Sequence, residues 1–173
     1  MTLLVISDSH GNYRRVEEAV SSNKNASAVL FLGDGLRDIS YLPSDLPPVI
    51  SVRGNCDLFP AAQNIDVPSE HLISFGEYTI LLMHGHLFGV KSSLDRAAEY
   101  AASKGADILL FGHTHIPLER YIPAGETVGG ITLSKPLRLF NPGSIGRPIC
   151  ESRASFGIIT IRGRDILLSH GSI

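Results

Sequence analysis

Asp8-Ser9-His10 places a carboxylate and an imidazole two residues apart, and four further polar clusters carry related chemistry along the chain. Gly33-Asp34 adds a second carboxylate, and Gly54-Asn55-Cys56-Asp57 offers an amide oxygen beside a thiol. His84-Gly85-His86 and Gly112-His113-Thr114-His115 supply imidazoles, so that five of the seven histidines lie in such clusters. Asp8, His10, Asp34, Asn55, His84, His113 and His115 form a set of nitrogen and oxygen donors that needs no thiolate. Seven ligands exceed one tetrahedral zinc site but suit two ions that share a bridging carboxylate. Such donors accept Mn²⁺, Fe, Zn²⁺, Co²⁺ or Ni²⁺, and ligand type alone does not choose among them.

Each cluster follows an apolar run: Leu3 to Ile6, Val29 to Leu32, Val49 to Val52, Ile80 to Met83, and Ile108 to Phe111. Runs of this length mark strands buried on both faces of a sheet. Ligands of open α/β sheets bind where such strands end. The five clusters are therefore expected together at one edge. Taken singly, each has a plain structural reading: Asp-x-His as a loop hydrogen bond, Gly-Asn-Cys-Asp as a turn. Their recurrence at five strand ends is what points to a metal site.

Between these strands, Asn12 to Ser22 has helical spacing at Tyr13, Val16, Ala19 and Val20, with Asn12 as the expected N-cap. Gly35 to Pro48 holds three prolines and reads as an irregular crossover with at most a short helix. His71 to Phe75 and Tyr78 to Met83 read as a hairpin turning at Gly76-Glu77. Ser92 to Lys104 is expected to be helical, with a Ser92/Asp95 capping box and Gly105 at its C-terminal end. Beyond Phe111 the chain reads as strands only: Leu118 to Ile122, Gly130 to Leu133, Pro136 to Phe140, Ala154 to Ile161 and Asp165 to Ser169. This order suggests a second sheet packed on the first.

At 173 residues, 43% apolar and 18% charged, the chain reads as one domain over residues 1–173 with an ordinary core. A formal net charge of −2 gives no attraction to long nucleic acid or to an anionic membrane. No stretch approaches the roughly 20 apolar residues of a membrane span. Two cysteines, Cys56 and Cys150, make no disulfide framework, and a free thiol beside the clusters fits a reducing cytoplasm.

Asp8-x-His10, Gly33-Asp34, Gly54-Asn55, His84 and Gly112-His113-x-His115 resemble, in order, the motif set of the calcineurin-like metallophosphoesterase family. The similarity is to its small single-domain bacterial and archaeal phosphodiesterases, in which Asn141-Pro142-Gly143-Ser144 is also familiar. The resemblance implies an α/β fold, a two-sheet mixed β-sandwich flanked by helices, with metals at the C-terminal ends of strands. It implies that Asp8, His10, Asp34 and His115 hold one divalent ion and that Asp34, Asn55, His84 and His113 hold the other, Asp34 being shared. Mn²⁺ is the favoured metal. Small members of the family often form homodimers or homotetramers.

The expected reaction is hydrolysis of a small phosphodiester by a metal-activated water, with no covalent phosphoenzyme. Asn55 is placed to donate its amide toward the phosphate. Asp57, Ser9 or backbone carbonyls are expected to fix the free nitrogens of the histidines. Larger family members carry histidine after the Gly-Asn pair, whereas this chain has Cys56, a poor substitute for imidazole. His86 is then the nearest alternative proton donor. Arg147 is a further candidate for the phosphate, with a surface ion pair as its plainer reading. Leu87 to Val90 reads as an apolar loop, and His71, His170 and Cys150 as structural or surface residues. A phosphomonoesterase acting on nucleotides or proteins is the alternative reaction, and a protein-interaction scaffold of the same fold is the alternative class.

Overall fold

The computed structural model describes residues 1–57 and 67–173. In chain order the elements are β1 (Thr2–Ile6), α1 (Tyr13–Ser22), β2 (Ala28–Phe31), α2 (Leu36–Ile39), β3 (Val49–Ser51), β4 (Glu70–Phe75) and β5 (Tyr78–Met83). A 3-10 turn (His86–Phe88), α3 (Asp95–Ser103), β6 (Ile108–Leu110), β7 (Leu118–Ile122), β8 (Thr127–Val128), β9 (Ile131–Thr132), β10 (Leu137–Asn141), β11 (Ser155–Arg162) and β12 (Asp165–Ser172) follow. One five-stranded sheet has the order β12-β11-β1-β2-β3, and the other β4-β5-β6-β10-β7; β8 and β9 pair separately.

Strand alternation explains the continuous apolar runs. Leu3 and Val5 point into the core between the sheets, against Leu30, Ile80, Leu82, Leu110 and Phe140. Leu4 and Ile6 point the other way, against Val16, Ala19 and Val20 of α1. In the second sheet Leu81, Met83 and Leu109 face Ala97, Ala98 and Ala101 of α3. Each sheet thus has two buried faces, and each fully buried aliphatic side chain contributes about 1.5–3 kcal/mol. Among the five strands that carry those runs β3 is the exception, an edge strand whose three residues are only half-buried.

β1, β2 and β3 run parallel to one another, as do β5, β6 and β10. Parallel strands in the same sheet end on the same side, which collects the polar clusters. The late strands do not build the second sheet alone. β11 extends the first sheet antiparallel to β1, and β12 pairs antiparallel to β11, while β7 and β10 join the hairpin β4–β5 and β6 in the second. Both sheets are therefore mixed.

Two expected side-chain capping bonds are absent among the described residues, although Asn12 does stand at the N-cap position of α1. Asn12 makes no side-chain bond to α1; the entry is held by Asn12 N–H to the Ser9 carbonyl at 2.9 Å and Gly11 N–H to Asp38 Oδ2 at 2.9 Å. α3 starts at Asp95, because Gly89 in a left-handed conformation draws the Ser92 and Ser93 amides into a turn on its own carbonyl. Ser93 Oγ, not Ser92, accepts from Asp95 N–H at 3.1 Å. The C-terminal expectation holds: Gly105 has φ +70°, and the Gly105 and Ala106 amides return to the Ala102 and Ala101 carbonyls as a Schellman motif does. Among the described residues, no helix is long and apolar enough to cross a membrane.

Candidate metal centre

The two sheets are joined at their strand ends by the polar loops themselves. His84 Nδ1 lies 2.8 Å from the Leu32 carbonyl at the end of β2, and Gly112 N–H donates to the His84 carbonyl. His113 N–H donates to Asp8 Oδ2 at 3.0 Å, tying the loop after β6 to the loop after β1. The closeness depends on glycine. A Cβ on Gly112 would overlap Ser7 Oγ and lie 2.7 Å from Asp8 Oδ2, and one on Gly33 would lie 2.5 Å from the Gly54 amide nitrogen.

Asp8, His10, Asp34, His113 and His115 all have positive φ, between 45° and 67°. They are five of the seven non-glycine residues in that conformation among the described residues. A left-handed residue with a side chain costs on the order of 1–3 kcal/mol and persists only where its surroundings over-determine it. The loops spend that energy on turning side chains inward.

Those side chains converge. His10 Nε2 and His115 Nε2 are 3.1 Å apart, and the carboxylate oxygen Asp8 Oδ1 lies 3.1 Å from His115 Nε2 and 3.7 Å from His10 Nε2. His84 Nε2 is 3.2 Å from Asn55 Oδ1, 3.2 Å from His113 Nδ1 and 3.4 Å from Asp34 Oδ2. Asp34 Oδ2 is also 3.8 Å from His10 Nε2, so this carboxylate stands between the two groups. Asp8, His10 and His115 form one set able to hold a cation, and Asp34, His84 and His113 another. Cys56 lies within the same distance range of His10 and Asp34.

Charge and burial explain the protonation states. Burial pushes the Asp8 carboxyl up, but His10, His115, His84 and Ser7 outweigh it and hold it well below the usual carboxylate range. Burial is likewise overcome at Asp34, which His84 and the Cys56 amide hold at about 2. Burial opposes the charged form of His84, yet Asp34 and Asp8 raise it above its ordinary value, and Asp8 raises His115. His113 is pushed down to about 4 by burial, His84 and Lys91. Burial and the His84 charge also lower His86. Burial and Asp34 push the Cys56 thiol up to about 11, so it is fully protonated at neutral pH.

A bound cation fits these atoms. Asp8 Oδ1 is buried and has no hydrogen-bond partner among the described residues, although imidazole nitrogens surround it. A carbonyl can only accept, so His84 Nδ1 and His115 Nδ1 donate to the Leu32 and Arg147 carbonyls at 2.8 and 2.7 Å. That tautomer turns an Nε2 lone pair of each neutral ring toward the carboxylates.

All seven residues expected as ligands thus meet at one place. Backbone carbonyls fix His84 and His115, whereas Asp57 and Ser9 bond to no histidine among the described residues. Ser9 Oγ donates to Asp38 Oδ2 at 2.5 Å, and Asp57 accepts backbone amides from two loops. Arg147 serves through its carbonyl, and its side chain is exposed. His86 lies in the 3-10 turn with its ring 6.1 Å from that of His113, and its Nδ1 is buried without a partner among the described residues. Val90 is buried and Phe88 packs on Tyr100, so the apolar loop serves mainly packing, while Leu87 stays exposed. His170 stacks on Phe140, and His71 and Cys150 are exposed.

Three braces have a role that the sequence did not state, although two of them lie in the Asn141-Pro142-Gly143-Ser144 segment that it singled out. Ser7 Oγ donates to Asp8 Oδ2, and Ser144 Oγ to the Asp8 carbonyl at 2.8 Å. Asn141 Nδ2 donates to the Gly112 carbonyl and to Thr114 Oγ1, at 2.9 and 3.0 Å. The familiar Asn141-Pro142-Gly143-Ser144 turn is thus a support for the loops on either side of it.

A family model described as the calcineurin-like phosphoesterase superfamily domain matches residues 1–164. A probable metallophosphoesterase of Bacillus subtilis, YsnB, is 31% identical over 161 residues, covering 93% of this chain and 85% of the relative. The Escherichia coli phosphodiesterase YfcE is 29% identical over 184 residues, covering 92% and 87%. In structure, a predicted phosphoesterase from Streptococcus pneumoniae superposes with a TM-score of 0.74 at 27% identity, over 99% of this chain and 88% of that one.

Proposed function

The chain belongs to the calcineurin-like phosphoesterase superfamily, and from that premise we propose that it is a metal-dependent phosphodiesterase acting on small phosphodiesters at a dinuclear centre. The observation that carries this reading is the buried, unpartnered Asp8 Oδ1 facing His115 and His10, beside a second convergence on His84 Nε2. Asp8, His10, Asp34 and His115 would hold one cation, and Asp34, Asn55, His84 and His113 the other. Mn²⁺ suits this nitrogen and oxygen set, with Ni²⁺, Zn²⁺, Fe and Co²⁺ as alternatives. Two such cations would neutralise charge on a phosphoryl oxygen and lower the pKa of a shared water.

The protein groups divide the remaining work. Asn55 directs Oδ1 to His84 and keeps Nδ2 against Cys56 Sγ at 3.3 Å, from which it can turn to donate to a phosphate oxygen. The departing oxygen needs a proton, and Cys56 and His86 are the candidates. Cys56 holds its proton too tightly to be an efficient acid, and His86 is largely neutral at pH 7. A site with weak proton donors favours diesters with good leaving groups, in line with the phosphodiesterase name of the E. coli relative.

Parallel assays with p-nitrophenyl phosphate and its bis ester in Mn²⁺ test the reading. Faster hydrolysis of the bis ester is expected. Preference for the monoester would make the protein a phosphomonoesterase, and no hydrolysis of either would revive the scaffold.

A further inference from the structure

The carboxylate of Asp57 accepts four backbone amides from two separate loops. Oδ2 takes Asp34 N–H at 2.7 Å and Gly54 N–H at 2.9 Å, while Oδ1 takes Gly35 N–H at 2.8 Å and Leu36 N–H at 3.0 Å. We propose that Asp57 is a positioning residue that clamps the loop after β2 to the loop after β3, and so sets Asp34 and Asn55 in register as partners for one cation. The inference rests on the reading that Asp34 and Asn55 bind that cation.

An ionised carboxylate is acceptor-only with about four lone-pair directions, and four donors here use them. Hydrogen bonds to a charged acceptor are roughly twice as strong as neutral ones. The clamp sits where the two loops pack closely, since the Gly33 and Gly54 backbones leave no room for a Cβ between them. It also grips the amide of Asp34 itself, whose φ of +60° needs outside support. Asp34 Oδ1 completes the link from the other side by accepting Cys56 N–H at 2.7 Å. Neither oxygen of Asp57 is engaged by a histidine among the hydrogen bonds above, so the residue acts through Asp34 and Asn55.

Asp57→Asn keeps the shape but leaves a single acceptor oxygen, and its NH₂ would face two N–H donors. Mn²⁺ titration calorimetry on the full chain should show affinity reduced by about 10–100-fold, the usual cost of losing an outer support of a metal site. Asp107→Asn is the control. Asp107 accepts Thr79 N–H and pairs with Lys135 just before β6, at the end of that strand remote from His113. This variant should lose thermal stability and keep wild-type Mn²⁺ affinity. Should Asp57→Asn fail to fold, amide exchange in the metal-free wild type decides. The Asp34, Gly35, Leu36 and Gly54 amides should exchange slowly before any metal is added, and rapid exchange at these four would overturn the clamp. Wild-type binding matched by Asp57→Asn overturns the clamp alone. A wild type that binds no Mn²⁺ overturns the functional reading on which it rests.

Discussion

His84 and His113 face each other nitrogen to nitrogen, Nε2 to Nδ1, at 3.2 Å. The Leu32 carbonyl accepts a hydrogen bond from the Nδ1–H of His84, and burial beside His84 keeps His113 unprotonated down to about pH 4. Two ring nitrogens so placed need a cation or a proton between them. Asp34 Oδ2 and Asn55 Oδ1 close the same space from two other strand ends. The arrangement costs backbone strain at Asp8, His10, Asp34, His113 and His115.

Asp34 belongs to both halves of the site. Asp34→Asn should remove both ions and lower turnover by more than about 100-fold, a larger loss than an outer support of a metal site produces. Wild-type turnover in metal-replete Asp34→Asn protein would sink the shared-carboxylate scheme.

Metal uptake should depend on pH with a defined sign. His84 and His115 have pKa values raised above 6.5 by Asp34 and Asp8, and each must lose its proton to offer a ligand lone pair. Mn²⁺ affinity should therefore climb as pH rises from 6 through the raised values, with protons released on binding. His113, at about 4, contributes no proton in that window. Calorimetry at pH 6 in buffers of different ionisation enthalpy measures the release; zero release would contradict these assignments.

With Cys56 near 11 and His86 lowered, neither of these two residues is suited to act as a strong acid on a leaving group. The rate across a series of aryl phosphodiesters should fall steeply as leaving-group pKa rises. Cys56→Ser should leave the slope unchanged and the rate within about 3-fold, since a thiol so protonated gives little acid catalysis. A flat series would show an efficient proton donor at work.

Gly112→Ala places a Cβ against Ser7 Oγ and 2.7 Å from Asp8 Oδ2. Over-packing of this kind costs about 1–3 kcal/mol, and here it also pushes on Asp8. Urea unfolding should report that loss, and Mn²⁺ titration a weaker site. An unchanged midpoint together with unchanged affinity would mean that the loops after β1 and β6 can separate freely.

The site was more legible in the sequence than the fold that holds it. Apolar runs ending in Asp, Asn and His located all five loops, because parallel strands buried on both faces must be apolar throughout and must end on one side. What stayed hidden was long-range. Nothing local says that Ser155 to Arg162 pairs back onto β1, or that Asp57 reaches the Asp34 amide rather than a histidine. The capping box at Ser92 failed for a related reason, since a left-handed Gly89 two turns upstream of the helix interior claimed the amides first. Side-chain protons were equally unreadable: the carbonyls that fix His84 and His115 belong to Leu32 and Arg147, 52 and 32 residues away.

The most direct measurement titrates metal-free protein with Mn²⁺ while following bound metal per chain and hydrolysis of bis-p-nitrophenyl phosphate together. Two equivalents should bind, with activity appearing as the second is taken up. Full activity at one equivalent, or activity independent of metal, would contradict a dinuclear phosphodiesterase centred on Asp34.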